Sequence, residues 1–191
     1  DVCELVGAKE VIFDIGVTAN RPDCQSILGL AREVSAILER PLKEPAYGYE
    51  QEGAEENCPI EVIVEDSELC PRYCAKYIKN IEIKASPKWM QRRLAIMGIR
   101  AINNIVDITN YVLKEVGQPM HAFDGNFLED NKIVVRRAKA GEKIVTLDEN
   151  EFELTTDNLV ICDGKKPVAL AGIMGGLNSE IRDTTTTVTF E

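Results

Sequence analysis

The stretch Asn103-Asn104-Ile105-Val106-Asp107-Ile108-Thr109-Asn110-Tyr111-Val112-Leu113-Lys114-Glu115-Val116-Gly117 decides how the chain folds. Ile105, Ile108, Val112 and Val116 recur at helical spacing. Asn103 or Asn104 opens that helix, and Gly117 closes it. Just upstream, Ser86-Pro87 offers an N-cap serine followed by proline at the first helical position, with Gly98 as the stop. Two consecutive helices are therefore predicted. Strand patterns flank them: 60–64 and 73–83 before, then 133–137, 143–147, 159–162, 168–171 and 186–191 after. Asp148-Glu149-Asn150 reads as a hairpin turn. Strands, two helices and then many strands predict an α+β fold rather than an alternating parallel sheet.

Working outward to the N-terminal side, Val11-Ile12-Phe13-Asp14-Ile15 reads as a strand and Asn20-Arg21-Pro22-Asp23 as a turn. A helix is predicted over 24–39, with Ile27, Leu30, Val34 and Ile37 on one face, Asp23 as N-cap and Pro41 past its end. Forty residues bury little core by themselves, so this short α/β segment must lean on something else. The chain divides into 1–40, a glutamate-rich linker at 41–58 with Pro45, Gly48 and Gly53, and a larger unit at 59–191. Asp1-Val2-Cys3-Glu4 reads as an excised or processed end, with no signal peptide.

The 191 residues are 45% hydrophobic and 28% charged, ordinary for a globular chain. No apolar run approaches the roughly 20 residues of a membrane span. Cys3, Cys24, Cys58, Cys70, Cys74 and Cys162 lack the paired short spacings of a metal framework, and His121 is the sole histidine. No metal site is predicted, and reduced thiols point to the cytoplasm. The net charge of −10 is unevenly placed. Residues 71–100 hold eight basic side chains (Arg72, Lys76, Lys79, Lys84, Lys88, Arg92, Arg93, Arg100) against Glu82. That segment is either a surface for a polyanion or a solvated face.

Three features offer chemistry. His121 follows the glycine stop on a loop, where it either handles a proton or serves as a hydrogen-bonded structural side chain. Gly172, Gly175 and Gly176 permit close backbone approach and positive φ, for an oxyanion or for a plain turn. Thr109 and Asn110 are mediocre helix formers that either touch something specific or face water.

These residues stand in words that resemble a known family. Val106-Asp107-Ile108-Thr109-Asn110-Tyr111-Val112, Gly117-Gln118-Pro119-Met120-His121-Ala122-Phe123-Asp124, Thr146-Leu147-Asp148 and Leu170-Ala171-Gly172-Ile173-Met174-Gly175-Gly176 resemble, in order and spacing, the editing domain of bacterial phenylalanyl-tRNA synthetase β subunits. Thr18-Ala19-Asn20-Arg21-Pro22-Asp23 and Gly29-Leu30-Ala31-Arg32-Glu33-Val34 resemble the segment that precedes it. The likeness covers all but the glutamate-rich linker.

The resemblance implies layered mixed sheets packed with helices. It places the family's loop histidine on His121, its helical threonine and asparagine on Thr109 and Asn110, and its pocket wall on Pro119, Gly172 and Gly175. The glutamate that reads the para-hydroxyl of misacylated tyrosine falls on Glu191, with Glu180 as the rival acid. His121 and Asn110 are expected to position a water or the terminal ribose, and amides of the glycine segment to hold the oxyanion; a participating ribose hydroxyl is the alternative. The family's pocket also draws on a threonine-containing segment beyond the position of Glu191. The implied partners are tRNA(Phe) and the α subunit, in a tetramer of two α and two β subunits. ATP and magnesium belong to the whole enzyme, and this segment is expected to need no cofactor. A non-catalytic RNA-binding scaffold of the same fold is the competing reading.

Overall fold

The computed structural model describes residues 11–48 and 58–191. Its helices are α1 (Ile27–Ile37), α2 (Lys88–Ile96) and α3 (Asn104–Val116). Its strands are β1 (Glu61–Val64), β2 (Lys76–Lys79), β3 (Ala122–Asp124), β4 (Lys132–Arg137), β5 (Lys143–Val145), β6 (Glu151–Glu153), β7 (Leu159–Cys162), β8 (Pro167–Leu170), β9 (Met174–Gly175) and β10 (Thr187–Phe190). The fold is α+β, as the order of elements predicts.

Five strands form one sheet in the order β1-β4-β7-β8-β9, with β1 and β4 parallel and the other neighbours antiparallel. Alternation along β4 and β7 sends side chains to both faces of this sheet. Ile133, Val135 and Ile161 enter one cluster with Phe123, Leu128 and Val168. Val160 and Cys162 enter another with Ala138, Ile144 and Leu154, under the β5–β6 hairpin. A second sheet, β2-β10-β3, is antiparallel. Its Phe123 points into the first cluster, while Ala122, Val188 and Phe190 meet Ile105 of α3 in a third. The layers thus run hairpin, large sheet, small sheet, helices. Burying a side chain such as Phe123 fully contributes about 1.5–3 kcal/mol.

The helix ends explain themselves locally. Asn103 caps α3, its Oδ1 accepting from Ile105 N at 3.1 Å and Val106 N at 2.9 Å. Gly117 ends it at φ 81°, a left-handed position that glycine occupies without strain. Several expectations are corrected. Residues 11–15 form no strand, because no neighbouring strand among the described residues supplies a ladder. The N-cap of α1 is Ser26, whose Oγ accepts from Gly29 N at 3.0 Å, and a 3-10 turn over Pro22–Gln25 precedes it. The Asp23 carboxylate instead accepts from Arg21 at 2.7 Å. Ser86 does not cap α2 either: it is buried and donates to Asp107 Oδ2 at 2.5 Å. Asp107 Oδ1 also accepts from Ile102 N at 2.8 Å, so this carboxylate ties the two helices together. The strand expected over 73–83 is confined to β2, ended by Asn80 at φ 58°. Strands β3, β6 and β9 carry no periodic signal in the sequence; each spans only two or three residues, too few for a repeat to register.

Candidate functional site

His121 lies just before β3, and Glu191 just after β10. Their backbones extend that antiparallel ladder by one pair: His121 N donates to Glu191 O at 3.3 Å, and Glu191 N donates to His121 O at 3.0 Å. Residues paired across antiparallel strands present their side chains side by side on one face. That face is shared with Phe123, whose ring meets the His121 imidazole edge-on at 4.7 Å between centroids. The loop histidine of the sequence is therefore a strand-edge residue held in sheet register. The opposite wall comes from the β8–β9 connection. Gly172 turns at φ 69°, and Gly175 lies so close to the imidazole that a Cβ there would sit 2.3 Å from His121 Cε1. Glycine is required at Gly175 for the histidine to hold its place.

Between these walls lies a cavity of about 1100 Å³. Its lining includes His121, Glu191, Pro119, Gly172 and Gly175, so five of the expected site residues meet there. Leu159, Ile161, Ala169 and Leu170 make its floor apolar. Thr109 and Asn110 do not line it. Thr109 is buried in α3, and its Oγ1 donates to Val106 O at 2.8 Å within the same helix. Glu180 is exposed and lies outside the lining. In the glycine segment, Ile173 N donates to Leu170 O at 3.0 Å and Gly176 N to Val168 O at 2.7 Å. Those two amides hold the turn itself.

The electrostatics follow from burial. Desolvation pushes the Glu191 carboxyl above its ordinary value, and a hydrogen bond from the Tyr73 hydroxyl to Oε2 opposes the rise. The Tyr73 hydroxyl is held protonated far above the usual phenol range, first by burial and then by the Glu191 charge. Desolvation lowers the His121 pKa, which favours the neutral ring. A neutral imidazole beside a carboxylate that accepts hydrogen bonds can orient a water and take its proton. Tyr73 is the residue that sequence reading missed. It stands at the start of the segment read as a strand, and its partner is 118 residues away. Arg72 and Lys76 also line the cavity, bringing two of the eight basic side chains of 71–100 to it.

Among the described residues, one group of metal-ligating atoms lies close together: Asp23, Cys24 and Glu33. The Arg21 guanidinium already bridges both carboxylates, at 2.7 Å to Asp23 and 2.6 Å to Glu33. That arrangement is an ion-pair cluster and does not fit a cation. Cys24, Cys58, Cys70, Cys74 and Cys162 are free thiols, and burial pushes Cys162 up to about 12. No helix among the described residues is long and apolar enough to cross a membrane.

The chain is 50% identical over 192 residues to the phenylalanine–tRNA ligase β subunit of Syntrophus aciditrophicus, covering 100% of this chain and 24% of that protein. It is 52% identical over 188 residues to the Geobacter sulfurreducens β subunit, covering 98% and 24%. The chain spans about a quarter of the length of these relatives. A solved N-terminal fragment of the phenylalanyl-tRNA synthetase β-subunit from Pyrococcus horikoshii aligns with 99% of this chain and 60% of its own, at a TM-score of 0.48 and 16% identity. Residues 69–191, well over half of the sequence and the whole of the cavity's lining, match the B3/4 domain, and the chain belongs to that family.

Proposed function

We propose that the chain is a segment of a phenylalanyl-tRNA synthetase β subunit and that its cavity hydrolyses the ester of tRNA(Phe) mischarged with tyrosine. The observation that carries this reading is the ladder pair that sets His121 and Glu191 side by side over one cavity. Phenylalanine and tyrosine differ by one hydroxyl. A half-buried carboxylate with one oxygen still in need of a donor favours the tyrosyl ring over the phenylalanyl ring, which would leave that oxygen unpaired. Glu191 supplies that carboxylate. The cavity's volume accommodates an aromatic side chain with part of the terminal nucleotide beside it. Arg72 and Lys76 give the phosphate backbone a favourable approach.

The bond is an activated ester, so the site needs a placed water and a held carbonyl rather than a nucleophilic side chain. Neutral His121 orients the water and accepts its proton. Gly175 lets the ring sit against the β8–β9 wall, and Gly172 and Pro119 shape the sides. Thr109 and Asn110 are left without a contact in this scheme. In the whole enzyme the partners are tRNA(Phe) and the α subunit, in a cytoplasmic tetramer of two α and two β subunits. ATP and magnesium serve aminoacylation there and are not assigned to this chain.

The test is selectivity. In a synthetase carrying this segment, Glu191→Ala is expected to lower the ratio of Tyr-tRNA to Phe-tRNA hydrolysis by about tenfold or more, the worth of a hydrogen bond to a charged group. A ratio equal to that of the unaltered enzyme would remove Glu191 as the reader.

A further inference from the structure

We infer that Tyr73 is a positioning residue for Glu191, its phenol fixing Oε2 so that Oε1 faces the cavity as the acceptor for the tyrosyl hydroxyl. The inference rests on the proposed reading of the cavity as a tyrosyl pocket. Tyr73 belongs to an irregular stretch between β1 and β2, packs against the Phe123 cluster and lines the cavity. Its hydroxyl donates to Glu191 Oε2. Glu191 itself lines the cavity, and its Oε1 is not a buried, unpartnered atom. An ionised carboxylate accepts through both oxygens, so it can take one phenol from the protein and a second from the substrate.

The arrangement answers a physical difficulty. A carboxyl in an apolar pocket tends to take up a proton. In that form it carries no charge, and a ring without a hydroxyl costs it less. Tyr73 counters this by donating to the charged form. The other titratable groups at the cavity are His121 on the β3 side and Cys70, Arg72, Cys74 and Lys76 on the Tyr73 side. The β7–β8 floor and the Gly172 turn contribute none. Among the described residues Tyr73 is the one side chain that hydrogen-bonds the Glu191 carboxylate. It stands at the carboxylate on which the selectivity depends.

The experiment measures binding of non-hydrolysable 3′-amide analogues, tyrosylamino-adenosine and phenylalanylamino-adenosine, to the chain across a pH series. Wild type, Tyr73→Phe and Glu191→Gln are compared, with the Glu191 carboxyl carbon followed by NMR. In wild type the tyrosyl analogue binds better, and its advantage falls on acidification as Glu191 gains a proton. Tyr73→Phe removes the bond that lowers the Glu191 pKa. Its loss of preference therefore sets in at higher pH, the NMR midpoint moves the same way, and the preference at neutral pH drops by about tenfold. An unchanged preference with an unchanged midpoint in Tyr73→Phe overturns the inference. Tighter tyrosyl binding in that variant also overturns it, because the Tyr73 hydroxyl would then occupy the place of the substrate's own hydroxyl at Glu191. Glu191→Gln separates the two levels: an unaltered preference there sinks the tyrosyl-pocket reading itself. Should Tyr73→Phe fail to fold, the Tyr73 ring carbon bearing oxygen is followed in wild type. It is expected to shift at the Glu191 midpoint, and a signal blind to that titration contradicts the contact.

Discussion

Ile37 on α1 is 74% exposed, whereas Ile133 on β4 is wholly buried, although both stand at apolar positions of well-patterned segments. The contrast runs through the two regions they belong to. In 11–48, Val11, Phe13, Val34 and Ile37 are all at least half exposed. In 58–191, three apolar clusters fill the spaces between hairpin, sheets and helices. A repeat in the sequence tells which face of a segment is apolar. It does not tell what covers that face, because burial is a property of the packed layers. The cavity belongs wholly to the second region, where both its walls are held by sheet register.

That contrast can be broken by substitution. Phe123→Ala removes a fully buried ring that joins the two sheets beneath His121, and should destabilise the chain by about 3–5 kcal/mol in denaturant titration. Gly175→Ala forces a methyl group against the imidazole and should cost about 1–3 kcal/mol, with hydrolysis falling further than stability does. Ile37→Ser, at an exposed apolar position of α1, should change stability by no more than about 0.5 kcal/mol. A large loss at Ile37, or none at Phe123, would erase the distinction between the two regions.

The same contrast marks how far the sequence could be read. The α+β order, α3 and its Asn103 and Gly117 boundaries, and most long strands follow from local signals. Val11-Ile12-Phe13-Asp14-Ile15 has strand composition, yet composition supplies no neighbour to pair with. Asp23 and Ser86 have the chemistry of caps, but an arginine and a buried carboxylate take them instead. At the site, the motifs named His121, Gly172, Gly175 and Glu191 through family likeness. Thr109 and Asn110, named in the same way, stand elsewhere in this structure. The Tyr73–Glu191 bond was invisible, since it joins residues 118 apart and depends on the register of β2 with β10.

In the proposed function, His121 serves ester hydrolysis on the face it shares with Glu191. Single-turnover hydrolysis of Tyr-tRNA(Phe) by a synthetase carrying His121→Ala, with aminoacylation and folding followed in parallel, tests it most directly. Hydrolysis reduced about a hundredfold, with aminoacylation and stability retained, is the expected result. Hydrolysis at the unaltered rate, or a loss explained wholly by unfolding, would contradict it.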